Sequence, residues 1–308
     1  MALRRRLTGA VALTLPVLAV FALDAYANLG RPGIWLFLIA AVFIWTACGE
    51  LHRIFRSGKI DLGIGATIFV SLLALAVGMI PVWVQGGSEL PPGACGVSGW
   101  GWCALGLMGA CALRLCLAMF RFEPRPQGLA ELAASLFVML YVTLPLMFLL
   151  QTRLLWNDAL GLWAMGSVVW IVKMSDSGAY FSGRLWGRTP MALRLSPKKT
   201  IEGAIGGLVA GMASSAAFFL LVGRLFPASS LRETSPGSIA LYGITLGLGG
   251  ILGDLSESLL KRHAGQKDSS AWIPGLGGTL DVFDSILFAA PLGYFLWASG
   301  LVGSIRHN

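Results

Sequence analysis

Residues 253–285, GDLSESLLKRHAGQKDSSAWIPGLGGTLDVFDS, gather Asp254, Glu257, Lys261, Arg262, Lys267, Asp268, Asp281 and Asp284 in a chain that is only 12% charged. Asp281 and Asp284 are three apart, so on a helix they share a face. Magnesium prefers hard oxygen ligands and is usually held by one or two carboxylates plus substrate phosphates. Gly275, Gly277 and Gly278 would let backbone amides approach a phosphate closely. Carboxylates for a metal and cations for phosphate suit phosphoryl or nucleotidyl transfer, where catalysis is largely positioning and charge stabilisation. The bland alternative is that Asp281 and Asp284 cap a helix while Asp254 pairs with a lysine.

A second polar stretch lies upstream, SDSGAYFSGRLWGR (175–188) followed by SPKKTIEG (196–203). It offers Asp176, Ser196, Lys198, Lys199 and Thr200. Thr200 can cap the helix that follows, and Glu202 falls in its first turn, where a carboxylate suits the helix dipole. A helix start beside two lysines is a natural phosphate site, and equally a capped helix with a basic flank. No phosphate-binding G-x-x-x-x-G-K-[ST] loop, nucleophile elbow or H-E-x-x-H zinc motif occurs. His263 stands alone in a basic loop and reads as solvated.

The elements that must position these groups are membrane helices. The chain is 56% hydrophobic with a mean hydropathy of +0.74, whereas soluble domains carry about 25% charged residues. Apolar runs long enough to cross a bilayer recur. The expected fold is all-α, a polytopic integral membrane protein of about nine transmembrane helices near 7–27, 33–49, 63–84, 98–120, 128–151, 158–175, 201–223, 237–253 and 283–303. Residues 1–150 form an N-terminal set of helices. Residues 151–308 form a catalytic region with two cytoplasmic loops, 176–200 and 254–282. The stretch 7–27, with Ala25-Tyr26-Ala27, also resembles a signal peptide; an uncleaved first helix is the expectation, because eight more spans follow.

Alternating the spans sorts the basic residues. One side receives Arg4, Arg5, Arg6, then Arg53, Arg56, Lys59, then Arg121, Arg125, then Arg184, Arg188, Arg194, Lys198, Lys199, and finally Lys261, Arg262, Lys267. The other receives only Arg31, Arg153, Arg224, Arg232 and Arg306. Cytoplasmic loops retain lysine and arginine, so the N-terminus and both polar loops are expected inside and the C-terminus outside. The net charge of +8 then follows from topology, and nucleic-acid binding falls away. Arg114 and Lys173 lie within spans near their inner ends, where long stems can snorkel to the headgroups. The five cysteines form no metal or disulfide framework, with Cys95 and Cys103 a faint candidate pair near one outer loop.

The run S-x-x-K-R-x-x-x-x-K-D (Ser258, Lys261, Arg262, Lys267, Asp268), I-P-G-x-G-G (Ile273 to Gly278) and D-x-x-D (Asp281, Asp284) resembles the signature of phosphatidate cytidylyltransferases, also called CDP-diacylglycerol synthases. DSGAYFSGRLWG and SPKKTIEGAIGG look like other segments of that family, and the resemblance runs from about residue 170 to the C-terminus. It implies transfer of CMP from CTP to phosphatidate at the cytoplasmic face of the inner membrane, with magnesium as cofactor and a second cation and a homodimer left open. It places Asp254 and Asp281 on the metal with Asp284 beside them. It places Lys198, Lys199, Lys261, Arg262 and Lys267 on the triphosphate or the lipid phosphate, near Asp176, Ser196, Thr200 and Asp268. Two positions depart from the pattern: Leu276 stands where the family has histidine, and Val282 where it has arginine. A divergent paralogue, a CDP-alcohol phosphotransferase and an anionic-solute transporter are the rival readings. The string D-G-x-x-A-R of the second is absent.

Overall fold

The computed structural model describes residues 16, 18–85, 99–120, 122, 126–156, 159–225, 231, 234–265 and 278–303. Residues 18–26 are helical and are called α1. There follow α2 (Ile34–Ser57), α3 (Ile64–Gln85), α4 (Gly99–Phe120), α5 (Gly128–Val138), a π-helical turn (Met139–Thr143), α6 (Leu144–Arg153) and α7 (Ala159–Trp186). Strands β1 (Pro190–Ala192) and β2 (Ser196–Thr200) then precede α8 (Ile201–Leu225), α9 (Pro236–His263) and α10 (Thr279–Ala298). Among the described residues seven helical segments are long and apolar enough to cross a membrane, with α5, the π turn and α6 acting as one. The protein is an all-α, multi-pass membrane protein.

Several boundaries differ from those expected, among them α2, which runs to Ser57 rather than 49, and α10, which ends at Ala298 rather than 303. Helix α7 runs to Trp186 rather than ending near 175, so Asp176 and the segment after it are helical. Helix α9 runs to His263 rather than stopping at 253, and α10 begins at Thr279 rather than 283. Hydropathy falls where the first polar side chains appear, but backbone hydrogen bonding continues past that point. The second correction is a short antiparallel hairpin in the 176–200 region, with Pro190 opposite Thr200 and Ala192 opposite Ser196. Pro197 and the preceding chain are extended there, as proline favours.

The chain divides into two compact units, one of residues 1–157 with 263–282 and the other of residues 158–262 with 283–308. In the first, two buried polar clusters replace lipid-facing packing. Arg153 Nε donates to Asp24 Oδ2 at 2.8 Å, and Gly33 N donates to Asp24 Oδ1 at 2.7 Å. Arg114 was expected to snorkel. It is instead buried, and its Nε donates to Ser135 Oγ at 2.9 Å, with Thr67 Oγ1 2.7 Å beyond. A guanidinium in hydrocarbon is costly, so facing hydroxyls of neighbouring helices is the cheaper placement. Cys103 is a free, buried thiol that accepts from Gln151 Nε2 at 3.2 Å, while Cys95 lies outside the described residues.

In the second unit one polar knot fixes the helices. Ser167 Oγ of α7 lies 2.6 Å from Tyr242 Oη of α9, which accepts from Trp297 Nε1 of α10 at 2.9 Å. Phe219 of α8 stacks on the same tryptophan with ring centroids 5.7 Å apart. Buried aromatic area and satisfied hydroxyls together hold the ends of α7, α9 and α10 in register.

Candidate active site

At the far end of those helices from the knot, the sequence distributes charge along α9 as Asp254, Glu257 and Lys261. Steps of three and four residues bring them to one face of a helix. Lys261 Nζ lies 3.3 Å from Glu257 Oε1, and Glu257 is 1% exposed. Helix α10 approaches this face closely. A Cβ at Gly253 would collide with the backbone carbonyl of Asp284, so only glycine permits the contact. The approach buries Asp284, whose carboxyl is hydrogen-bonded to Glu257 and lies within electrostatic reach of Asp254 and Lys173. Ser285 N and Oγ also donate to Asp284 Oδ1, at 2.6 and 3.1 Å.

Helix α7 adds Lys173 and Asp176, one turn apart and paired at 3.2 Å. Lys173, expected to snorkel, thus pairs with a carboxylate of its own helix and remains partly exposed. Asp176 Oδ1 packs against Gly250 of α9, where a Cβ would lie 3.6 Å from it and from the Ser285 side chain. The extension of α7 beyond its apolar half is what carries Asp176 to this position.

The hairpin adds the fourth side. Lys199 Nζ of β2 lies 2.5 Å from Asp254 Oδ2, with the lysine less exposed than its partner. Thr200 Oγ1 accepts from Gly203 N at 3.1 Å and caps α8, as its position after two lysines suggests. Glu202, placed by sequence at the helix dipole, also reaches back to Arg188 N at 3.1 Å and to Thr189 Oγ1 at 2.9 Å. Arg262 Nε donates to Leu195 O at 3.1 Å and ties the end of α9 to the hairpin turn. Lys198 is exposed and Ser196 half-buried on β2.

The second unit therefore brings together Asp176, Lys199, Asp254, Lys261 and Asp284 of the residues expected from sequence. It adds Glu257 and Lys173, which were not assigned to the site. Glu257 was overlooked because a glutamate four before a lysine reads as an ordinary helix-surface pair; the signal available was its place on the Asp254 face. Asp281 belongs to the first unit, where its Oδ2 accepts from Gly278 N at 2.6 Å across the first turn of α10. Lys267, Asp268 and Leu276 lie outside the described residues.

Among the described residues, no three His, Cys, Asp or Glu side chains converge as a closed metal cage. The donor set of half-exposed Asp254 beside buried Asp284 still fits magnesium. That ion keeps several waters and takes substrate phosphates in place of further protein ligands. Carboxylates and ammonium groups alternate through the cluster, so an arriving cation finds carboxylates and an arriving phosphate finds lysines.

A model of the cytidylyltransferase family matches residues 4–299, and the chain belongs to that family. It is 36% identical over 171 residues to a phosphatidate cytidylyltransferase of Thermotoga maritima, covering 56% of this chain and 61% of the relative. It is 40% identical over 136 residues to that of Haemophilus influenzae (44% and 46% covered). To that of Bacillus subtilis it is 41% identical over 128 residues (42% and 45% covered). The matched stretches thus span between 45% and 61% of these relatives' length.

Proposed function

We propose that this cytidylyltransferase moves CMP from CTP to phosphatidate, giving CDP-diacylglycerol and pyrophosphate, at the cytoplasmic face of the inner membrane. The observation that carries the reading is the contact of Lys199 with Asp254 inside a cluster of Asp176, Glu257, Asp284, Lys173 and Lys261. The basic loops expected inside the cell are the ones that hold this cluster, where CTP is found. The names of the relatives support the substrates.

A phosphate oxygen of phosphatidate attacks the α-phosphorus of CTP. A new P–O bond forms there, the bond to the bridging oxygen of the β-phosphate breaks, and pyrophosphate leaves with the electron pair. The nucleophile is already anionic, so no side chain needs to remove a proton. Lys198, Lys199, Lys261, Arg262 and Lys267 neutralise the triphosphate and lipid phosphate. Asp176 of α7 and Ser196 and Thr200 of β2 are assigned to substrate binding with them, as is Asp268 from the family resemblance. The family resemblance assigns Asp254 and Asp281, together with Asp284, to hold magnesium, which when bound would offset charge on the phosphate oxygens.

Membranes containing the protein, supplied with labelled CTP and phosphatidate, should form labelled CDP-lipid, and the Asp281→Asn variant should not. Absence of product with magnesium present, recovered in the Leu276→His, Val282→Arg double variant, would establish a paralogue with lost activity instead.

A further inference from the structure

Glu50 lies two turns before the end of the apolar helix α2 (Ile34–Ser57) and is 2% exposed. A buried carboxylate is costly unless charged donors or several hydrogen bonds satisfy it. Its Oε1 accepts from Thr279 N at 2.8 Å and its Oε2 from Leu280 N at 3.0 Å. Those are the first two residues of α10, whose amides have no partner within the helix. The negative charge also sits at the positive end of the helix dipole. A carboxylate on one helix thereby caps another that begins 229 residues later in the chain.

The fork has a mechanical consequence. Two oxygens on two successive amides fix both the height and the rotation of the first turn, where a single contact would leave rotation free. That turn carries Asp281, which closes on Gly278 N, and the next carries Asp284. Nothing in the proposed reaction uses Glu50 itself.

We propose that Glu50 is a positioning residue that fixes the first turn of α10 and so sets the bearing of Asp281, the carboxylate of that turn assigned to magnesium. The inference rests on the reaction proposed above. Its test uses the full chain in detergent, comparing wild type with Glu50→Gln, which keeps the size but replaces one acceptor oxygen by an amide donor.

Hydrogen exchange of the peptide spanning residues 278–284 should quicken roughly tenfold in the variant, since two charge-assisted bonds are weakened. The magnesium concentration giving half-maximal CDP-lipid formation should rise several-fold and kcat should fall. KM for phosphatidate should stay within about twofold, because the lipid's own contacts are untouched. Glu50→Asp, which keeps the charge, should fall between the two, and it carries the comparison if Glu50→Gln does not accumulate folded. Unchanged exchange in the 278–284 peptide, or lost thermal stability with unaltered magnesium dependence and kcat, would overturn the proposal. A wild-type protein that makes no CDP-lipid would sink the proposed reaction, while the exchange comparison still decides the anchoring.

Discussion

Lys199 and Asp254 are in direct contact, 2.5 Å apart, one on a two-stranded hairpin and the other 55 residues on in a helix. Both have a role in the reaction proposed above. In the absence of nucleotide each screens the other, so neither charge is left uncompensated at the membrane face. In the proposed reaction a nucleotide phosphate would take the place of the aspartate beside the lysine, and a cation that of the lysine beside the aspartate.

Lys199→Ala should therefore lower kcat/KM for CTP about 100-fold or more, the usual cost of removing one group that stabilises charge in the transition state. Lys199→Arg should recover part of this. Steady-state assays with CTP varied at saturating phosphatidate give the answer; an unchanged kcat/KM would exclude a substrate role for the lysine.

Chelation of divalent ions should abolish activity, and added magnesium should restore it. The same chelation should leave the melting temperature within a few degrees, since the ion pairs with Lys199, Lys173 and Lys261 keep the carboxylates compensated. A large loss of thermal stability on chelation would instead indicate a structural metal.

Asp24 and Arg153 make a different kind of pair, 0% and 2% exposed, remote in sequence from every candidate site residue. Asp24→Ala leaves a buried guanidinium without its carboxylate and should destabilise the protein by about 3–5 kcal/mol. Replacing both, as Asp24→Leu with Arg153→Met, should restore most of the loss. Thermal melts of purified protein in detergent distinguish the two outcomes, and a double variant as unstable as the single would refute the pairwise account.

Leu276 and Val282 cannot contact phosphate through charge. Introducing Leu276→His and Val282→Arg together should raise kcat/KM roughly 30-fold, since a charged contact to a phosphate contributes about 2 kcal/mol or more. No gain would mean that other residues of this chain already supply those contacts.

Much of the site was legible in order along the chain. Thr200 caps α8 where its spacing from the lysines placed it, and Asp254, Lys261 and Asp284 do stand in one cluster with Lys199. Glu257 was missed because a lysine one turn away explains it locally, and Lys173 because a long stem near the inner end of a span reads as snorkelling. Glu50 gave no signal at all, as its two donors lie on a helix far along the chain. Arg114 was misread for the same reason: Ser135 and Thr67 come from other helices.

The sequence by itself determined the solvent. Hydropathy accumulates residue by residue, so a chain this apolar must be a bundle of membrane helices whatever its helices touch. It also determined the inventory of acids and bases and the helix faces they occupy. Which carboxylate meets which cation was left to the tertiary structure, because an ion pair requires approach to within a few ångströms between elements whose separation along the chain carries no such information.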